Sequence, residues 1–448
     1  MRIKKYPMNP SPPKFARRRF LQMGAMAGLP MILPSRLFGS TAPSRHLHVG
    51  IIGCGDRFHA MTADFTRIAG VRVTAICDLW PERRAYAKGV VDQRNGDGHC
   101  KTYSDFRALI ADPEVDIIGI TAPDHWHSLM AIEGAAHGKH IYLEKPFAYS
   151  IEEGRAILAA VKHHGVLLQH GTQQRSTSHF QRATWLARHG YLGNVEKVYA
   201  ISPVGITGGD ASDTAMPEGF DYDRFTGPAP RTPFFRELIL RPNTTSGWYF
   251  TSVFGSGWIT AWGSHHVDSA QMALGKDGEA PVRVEATGSY PTTGVFDTCD
   301  SWHAELTYAD GKKIIFLTED RPECPKIDAN IVVVGDEGWV AATRGRSWSN
   351  PPSLCERAWP PGDPSLPQLD RGSQAEHFRN FIDAIRDGIA LNSPMESGHL
   401  STALCHLTHI GVEIQRPFEW DGAHERVRND AQANRMLGRA MRAPWTLG

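Results

Sequence analysis

His48-Val49-Gly50-Ile51-Ile52-Gly53-Cys54-Gly55-Asp56-Arg57-Phe58 sets the fold: a β-branched run stops at a glycine loop, and a helical stretch follows. Gly53 permits the tight turn, and Gly55 lets backbone N–H groups approach a pyrophosphate at the helix N-terminus, with Cys54, Asp56 and Arg57 completing the loop. Phe58 stands where a third glycine would serve helix-to-strand packing, so a divergent crossing is expected with phosphate binding intact. Asp78 follows the next β-branched run, Val71 to Cys77, at roughly the 20-residue distance of a carboxylate that bonds ribose hydroxyls. Such a carboxylate repels a 2′-phosphate and favours NAD, while Arg57 and Arg83 keep NADP as the minority reading. Taken alone, the loop reads equally as a plain strand-turn-helix, and Asp78 as a turn residue before Pro81.

The pattern continues outward from this loop. Further short apolar runs at Val115 to Ile120 and His140 to Leu143 alternate with helical stretches, one of them Met61 to Ile68. Ser150 followed by Glu153 forms a capping box that opens a helix reaching His164. Residues 44–170 therefore read as an α/β domain, a Rossmann-type doubly wound parallel sheet that binds NAD(P). Over residues 171–448 the period changes. Asp310-Gly311 between Glu305 to Tyr308 and Lys313 to Leu317 is a hairpin signal, and Gly335 to Gly338 is another turn. Helical stretches at His179 to Ala187, Gln374 to Arg386 and Gly398 to Glu413 complete a C-terminal α+β domain with a mainly antiparallel open sheet. Pro203 to Gly247, rich in Gly, Pro and Asp, reads as a long ordered loop or lid, and no internal repeat is present.

Composition excludes several classes. The 448 residues carry 48 Lys plus Arg against 48 Asp plus Glu, so there is no basic field for nucleic acid. Seven cysteines stand singly, without the spacing of a disulfide framework or a metal site. Residues 1–43 differ from the rest: Arg17-Arg18-Arg19-Phe20-Leu21 precedes a weakly apolar run from Met23 to Phe38, broken by Pro30 and Pro34 and too short for a stable membrane span. This segment resembles a Tat signal, which implies passage through the Tat translocase and a periplasmic destination.

Two further motifs sit at the carboxyl ends of strands, where open α/β sheets bind ligands. They are Thr121-Ala122-Pro123-Asp124-His125-Trp126-His127 and Glu144-Lys145-Pro146. A partly desolvated Lys145 beside a nicotinamide would bond and deprotonate a hydroxyl, although a surface lysine next to a turn proline fits the spacing equally. Trp126, Tyr222, Phe225, Trp248, Tyr249, Trp258 and Trp262 offer flat apolar faces of the kind that stack on sugar rings.

With Gly171-Thr172-Gln173-Gln174-Arg175 and Gly263-Ser264-His265-His266-Val267-Asp268 added, these motifs resemble the Gfo/Idh/MocA family of glucose-fructose oxidoreductase and inositol dehydrogenase relatives. The resemblance covers nearly all of the chain after residue 43. It implies that Lys145 and His265 are catalytic, Lys145 touching substrate and cofactor and His265 removing the hydroxyl proton. It also implies cofactor contacts from the glycine loop, Asp78, Thr121, Pro123, His127, Glu144 and Lys145. Substrate contacts are expected from Trp126, Gln173, Gln174, Arg175, Trp262, His266 and Asp268, with Asp268 placed to orient His265.

One position departs from the inositol dehydrogenase pattern. An Asp is expected four residues before His265, and Ala261 stands there. The expected activity is hydride transfer from a secondary hydroxyl of a sugar, glycoside or cyclitol to a tightly held NAD, and the open sheet face of the family implies a homo-oligomer. The alternative is a glycoside hydrolase that oxidises, eliminates, hydrates and reduces again, leaving NAD unchanged.

Overall fold

The computed structural model describes residues 46–240, 245–357 and 374–447. The twin-arginine segment lies outside the described residues. Strands β1 (Leu47–Ile52), β2 (Val71–Cys77), β3 (Lys101–Tyr103), β4 (Ile117–Ile120), β5 (His140–Leu143) and β6 (Leu168–His170) form one parallel sheet in the order β3-β2-β1-β4-β5-β6. Helices cover both faces, so Val49 to Ile52 and Ile117 to Ile120 are buried without alternation, as unbroken apolar runs require. The order reverses between β1 and β4. At such a switch point the loops leave in opposite directions and a cleft opens at the carboxyl ends.

Local chemistry sets the helix ends. The first helix, Asp56–Thr66, begins at the glycine loop itself, well ahead of the Met61 to Ile68 stretch that its apolar spacing suggests. Its opening turn is polar apart from Phe58, which is fully buried at the crossing. Ser150 Oγ accepts from Glu153 N at 3.2 Å and caps the helix Ile151–His164. Glu153 does not complete a reciprocal box, because its carboxylate takes Arg439 at 2.7 Å and Ser128 at 2.5 Å.

The second sheet holds β7 (Val195–Ser202), β8 (Arg283–Ser289), β9 (Ser301–Thr307), β10 (Lys313–Thr318), β11 (Ile331–Gly335), β12 (Gly338–Ala342), β13 (Ser347–Asn350), β14 (Phe418–Asp421) and β15 (Arg426–Val427). Their order is β13-β12-β11-β7-β10-β9-β8-β14-β15, with β7–β10 parallel and the other pairs antiparallel. The β9–β10 turn falls at Asp310-Gly311, where Gly311 takes φ +85°. Helices Gly263–Leu274 and Met395–Ile414 pack against this sheet, around buried Trp302 and Phe316. This is the expected α+β half.

The chain then returns to the first sheet. Helix Gln374–Asp387 lays Phe378 flat on Tyr142 of β5, with ring centroids 4.2 Å apart, and Trp445 of the tail meets Trp126 at 4.8 Å. The Gly- and Pro-rich segment after β7 carries the short helix Tyr222–Thr226 and folds over buried Phe220, Phe225, Phe250 and Phe254 beside the cleft.

Candidate active site

Gly53 sits at φ +96°, and a Cβ there would lie 2.8 Å from Thr121 O and 2.9 Å from Ala122 N. Only glycine lets the β1 loop close against the loop after β4. Thr121 fastens the junction, its Oγ1 donating to Gly53 O at 2.6 Å. A Cβ on Gly55 would meet nothing within 4 Å, so the helix N-terminus behind it faces open cleft.

Asp78 holds the loop as well as facing the cleft. Its Oδ2 accepts from Cys54 N at 2.7 Å and its Oδ1 from Trp80 N at 2.8 Å. Burial raises its pKa against those two backbone donors. Each oxygen keeps a second lone pair for a ribose hydroxyl. Pro123 lines the same cleft, and Arg57 keeps a buried NH2 without a partner. An anion-ready helix end, a carboxylate at the ribose distance and an orphaned guanidinium nitrogen fit a dinucleotide.

Glu144 and His127 work behind this surface. Glu144 Oε1 takes Arg57 Nε at 2.5 Å and Gln173 Nε2 at 3.1 Å. His127 spans the two loops, with Nδ1 2.7 Å from Pro146 O and Nε2 2.9 Å from Ala122 O. Burial lowers its pKa, so the neutral ring donates to one carbonyl at a time. The residue binds loop to loop, with both nitrogens turned to backbone.

Lys145 emerges from that scaffold. Half-buried, it makes no hydrogen bond or ion pair among the described residues, and its Nζ lies 5.1 Å from the centre of the Tyr249 ring. Burial lowers its pKa, while Glu144 and Asp124 pull it back up. Asp124 begins the short turn Asp124–Trp126 and is 2 % exposed, with an Oδ1 that has no partner. Burial lifts its carboxyl to about 7, and the charge of Lys145 opposes the rise. The sequence reading did not select Asp124, since an Asp after a strand-end proline is ordinarily a turn former; only its place inside the Thr121 to His127 motif hinted otherwise.

His265 stands in the first turn of helix Gly263–Leu274, 4 % exposed, with Nδ1 unpartnered. Burial, then the positive charges of Arg344 and Lys145, hold it well below the usual imidazole range. Its ring is neutral at pH 7 and able to accept a proton. Trp262 lies beside it, ring centroids 6.3 Å apart.

Several expected substrate contacts are placed elsewhere. Arg175 grips Asp268 through two bonds of 2.6 and 2.8 Å and reaches Asp277 at 2.6 Å. Asp268 is fully buried in that pair, which removes it as the partner that orients His265. Trp126 gives its indole N–H to Phe225 O at 2.9 Å and packs between Phe106 and Trp445, beneath the dinucleotide cleft. Phe225 is buried in the aromatic cluster, and Tyr222 bonds Thr232 O at 2.9 Å. Gln174 accepts from Ser269 at 3.1 Å, and Gln173 donates to Tyr142 at 3.0 Å. His266 is fully buried with both ring nitrogens unpartnered, and burial brings its pKa to about 3. Tyr249 and Trp248, stacked at 3.7 Å, and Trp262 remain close to Lys145 and His265. Ala261 is buried, so no carboxylate enters from that position. Among the described residues no cluster has the make-up of a metal site, and no helix is long and apolar enough to cross a membrane.

Comparison with known proteins gives two family matches. Residues 47–172 match the oxidoreductase family with an NAD-binding Rossmann fold, and residues 204–447 match its C-terminal alpha/beta domain. The uncharacterized oxidoreductase YrbE of Bacillus subtilis is 32% identical over 308 residues, spanning 68% of this chain and 75% of that protein. A glycosyl hydrolase family 109 protein of Solibacter usitatus is 29% identical over 158 residues, which is 31% of this chain and 35% of that protein. Among solved structures, levoglucosan dehydrogenase in complex with NADH and levoglucosan superposes with a TM-score of 0.60 at 20% identity, covering 84% of this chain and 99% of the other.

Proposed function

This chain belongs to the Gfo/Idh/MocA oxidoreductase family, and from that premise we propose that it oxidises a secondary hydroxyl of a sugar, glycoside or cyclitol, with Lys145, His265 and Asp124 managing the proton. The carrying observation is the unpaired Lys145 amine at the switch-point end of the sheet, beside a buried carboxyl and in the electrostatic reach of a neutral histidine.

The glycine loop, Asp78, Arg57 and the wall at Thr121 and Pro123 would hold NAD, which would supply hydride acceptance at its nicotinamide ring. Lys145 bonds the reacting hydroxyl oxygen and steadies the negative charge that grows on it as hydride leaves carbon. His265 takes the hydroxyl proton. Asp124, a buried carboxyl raised to about 7, sets the charge of Lys145 through its field, a place that Ala261 does not fill. Tyr249, Trp248 and Trp262 line the approach with faces suited to a sugar ring.

The test offers purified protein and NAD a panel of pyranosides and cyclitols. A ketosugar accumulating with reduced nicotinamide supports dehydrogenation. An aryl glycoside that releases its phenol without net reduction moves the assignment to hydrolysis, the activity named for a relative that matches over about a third of its length. Turnover that survives Lys145→Met unchanged refutes both.

Export belongs to the same reading: residues 1–43 carry the folded, cofactor-loaded chain through the Tat route to the periplasm. No free nicotinamide pool is expected there, so a tightly held NAD would be recycled by a second substrate. A reporter fused behind residues 1–43 reaches the periplasm, and Arg17→Lys/Arg18→Lys retains it inside. Retention of both reporters refutes export.

A further inference from the structure

Arg344 lies in the turn between β12 and β13, exposed and without an ion pair or hydrogen bond among the described residues. Its guanidinium carbon stands 5.1 Å from the centre of the Trp262 ring, whose own contacts run to the rings of His265 and His266 at 6.3 and 5.5 Å. The arginine therefore lies one aromatic ring away from the proposed base. Its charge is felt at Lys145, His265 and His266.

The local charge balance is uneven. Glu144 is taken up by Arg57 and Gln173, and Asp268 by Arg175. Asp124 acts on Lys145 with its carboxyl raised to about 7. Lys145 and Arg344 make no ion pair among the described residues, and Glu144, already bonded to Arg57, is the carboxylate whose charge reaches both. A guanidinium set over an aromatic ring, with no hydrogen bond among the described residues, keeps its forked N–H donors available for a carboxylate. A neutral sugar would leave those donors unanswered. The cofactor's diphosphate has its expected seat at the glycine loop on the first sheet, whereas Arg344 comes from the second and reaches Arg57 and Glu144 only through the field of its charge.

We propose that the sugar oxidised at this site is anionic, a uronic acid or uronide whose carboxylate is held by Arg344 on its Trp262 platform. The proposal rests on the oxidoreductase reading given above and names its substrate class. Arg344 acts in specificity, and because its charge also bears on Lys145 and His265 its role is read by binding and not by turnover.

Binding is measured on the protein saturated with NADH, by calorimetry with glucuronate, glucose and glucose 6-phosphate. Wild type binds glucuronate at least about tenfold tighter than glucose, and Arg344→Gln lowers glucuronate affinity about 10- to 100-fold, the scale of a hydrogen bond to a charged group. Glucose and NADH affinities hold in the variant, and Arg344→Lys recovers part of the loss because it restores charge without the fork. Equal affinity for glucuronate and glucose overturns the proposal, as does a loss in Arg344→Gln shared by all ligands. Preference for the phosphate ester overturns the commitment to a carboxylate. Because binding is read without turnover, uronate capture through Arg344 with no hydride transfer to any sugar would refute the proposed reaction alone.

Discussion

Asp124→Asn keeps the shape of the buried side chain and removes its proton. In the folded chain burial carries this carboxyl from its ordinary 3.8 to about 7, against the charge of Lys145. Ionising it inside the fold therefore costs about 4 kcal/mol more than in the open chain, an order-of-magnitude figure. The folded state holds the proton where the unfolded chain has released it. The contribution to stability is thus full below the unfolded value, lost as pH rises to about 7, and constant above. About 3 kcal/mol of that loss falls between roughly pH 5 and pH 8. Urea denaturation of both proteins at those two pH values measures it together with any change in Lys145, the group whose pKa Asp124 raises, while titrating groups that do not sense Asp124 cancel in the difference. Wild type weakens relative to Asp124→Asn as pH rises, and the kcat/KM profile of the variant loses the limb that Asp124 supplies near neutrality. Parallel stability curves would refute the assignment of a buried, protonated carboxyl, and with it the role beside Lys145.

Lys145→Met and His265→Gln each lower kcat by about 10²–10⁴-fold. NADH fluorescence titration shows the cofactor still bound in both, and unchanged turnover in either variant would remove that residue from the chemistry. Gly53→Ala drives a Cβ to 2.8 Å from Thr121 O at a φ of +96°, so NADH affinity falls by more than tenfold and the melting temperature drops; retained affinity would mean that the loop rearranges freely. Asp268→Asn strips Arg175 of its buried partner and costs about 3–5 kcal/mol in denaturant unfolding. Below its melting temperature that variant keeps the wild-type KM, and a KM change without a stability loss would return Asp268 to the substrate.

What the sequence revealed follows the range of the forces involved. Val71 to Cys77 is a strand in both readings because β-branched residues, a strand-end Asp and a following proline act over a few neighbours. Gly53 was legible for the same reason: its backbone conformation is demanded by a turn of three residues. Asp268 and Arg175 were not. They lie 93 positions apart, and nothing in either neighbourhood signals that each neutralises the other inside the helix-on-sheet core. Trp126 was read from its company alone: a tryptophan in a strand-end motif looks like a sugar platform, and only the fold shows its ring set edge-to-face with Trp445, 319 residues later, in the lining of the dinucleotide cleft. Asp124 shows the converse. Its carboxyl is set apart by what the second half of the chain brings: the Gly255 turn lies against its Oδ2, and no group donates to its Oδ1. Desolvation is a property of assembled surfaces, so the residue that best replaces the missing acid at Ala261 became visible only when the two domains were seen together.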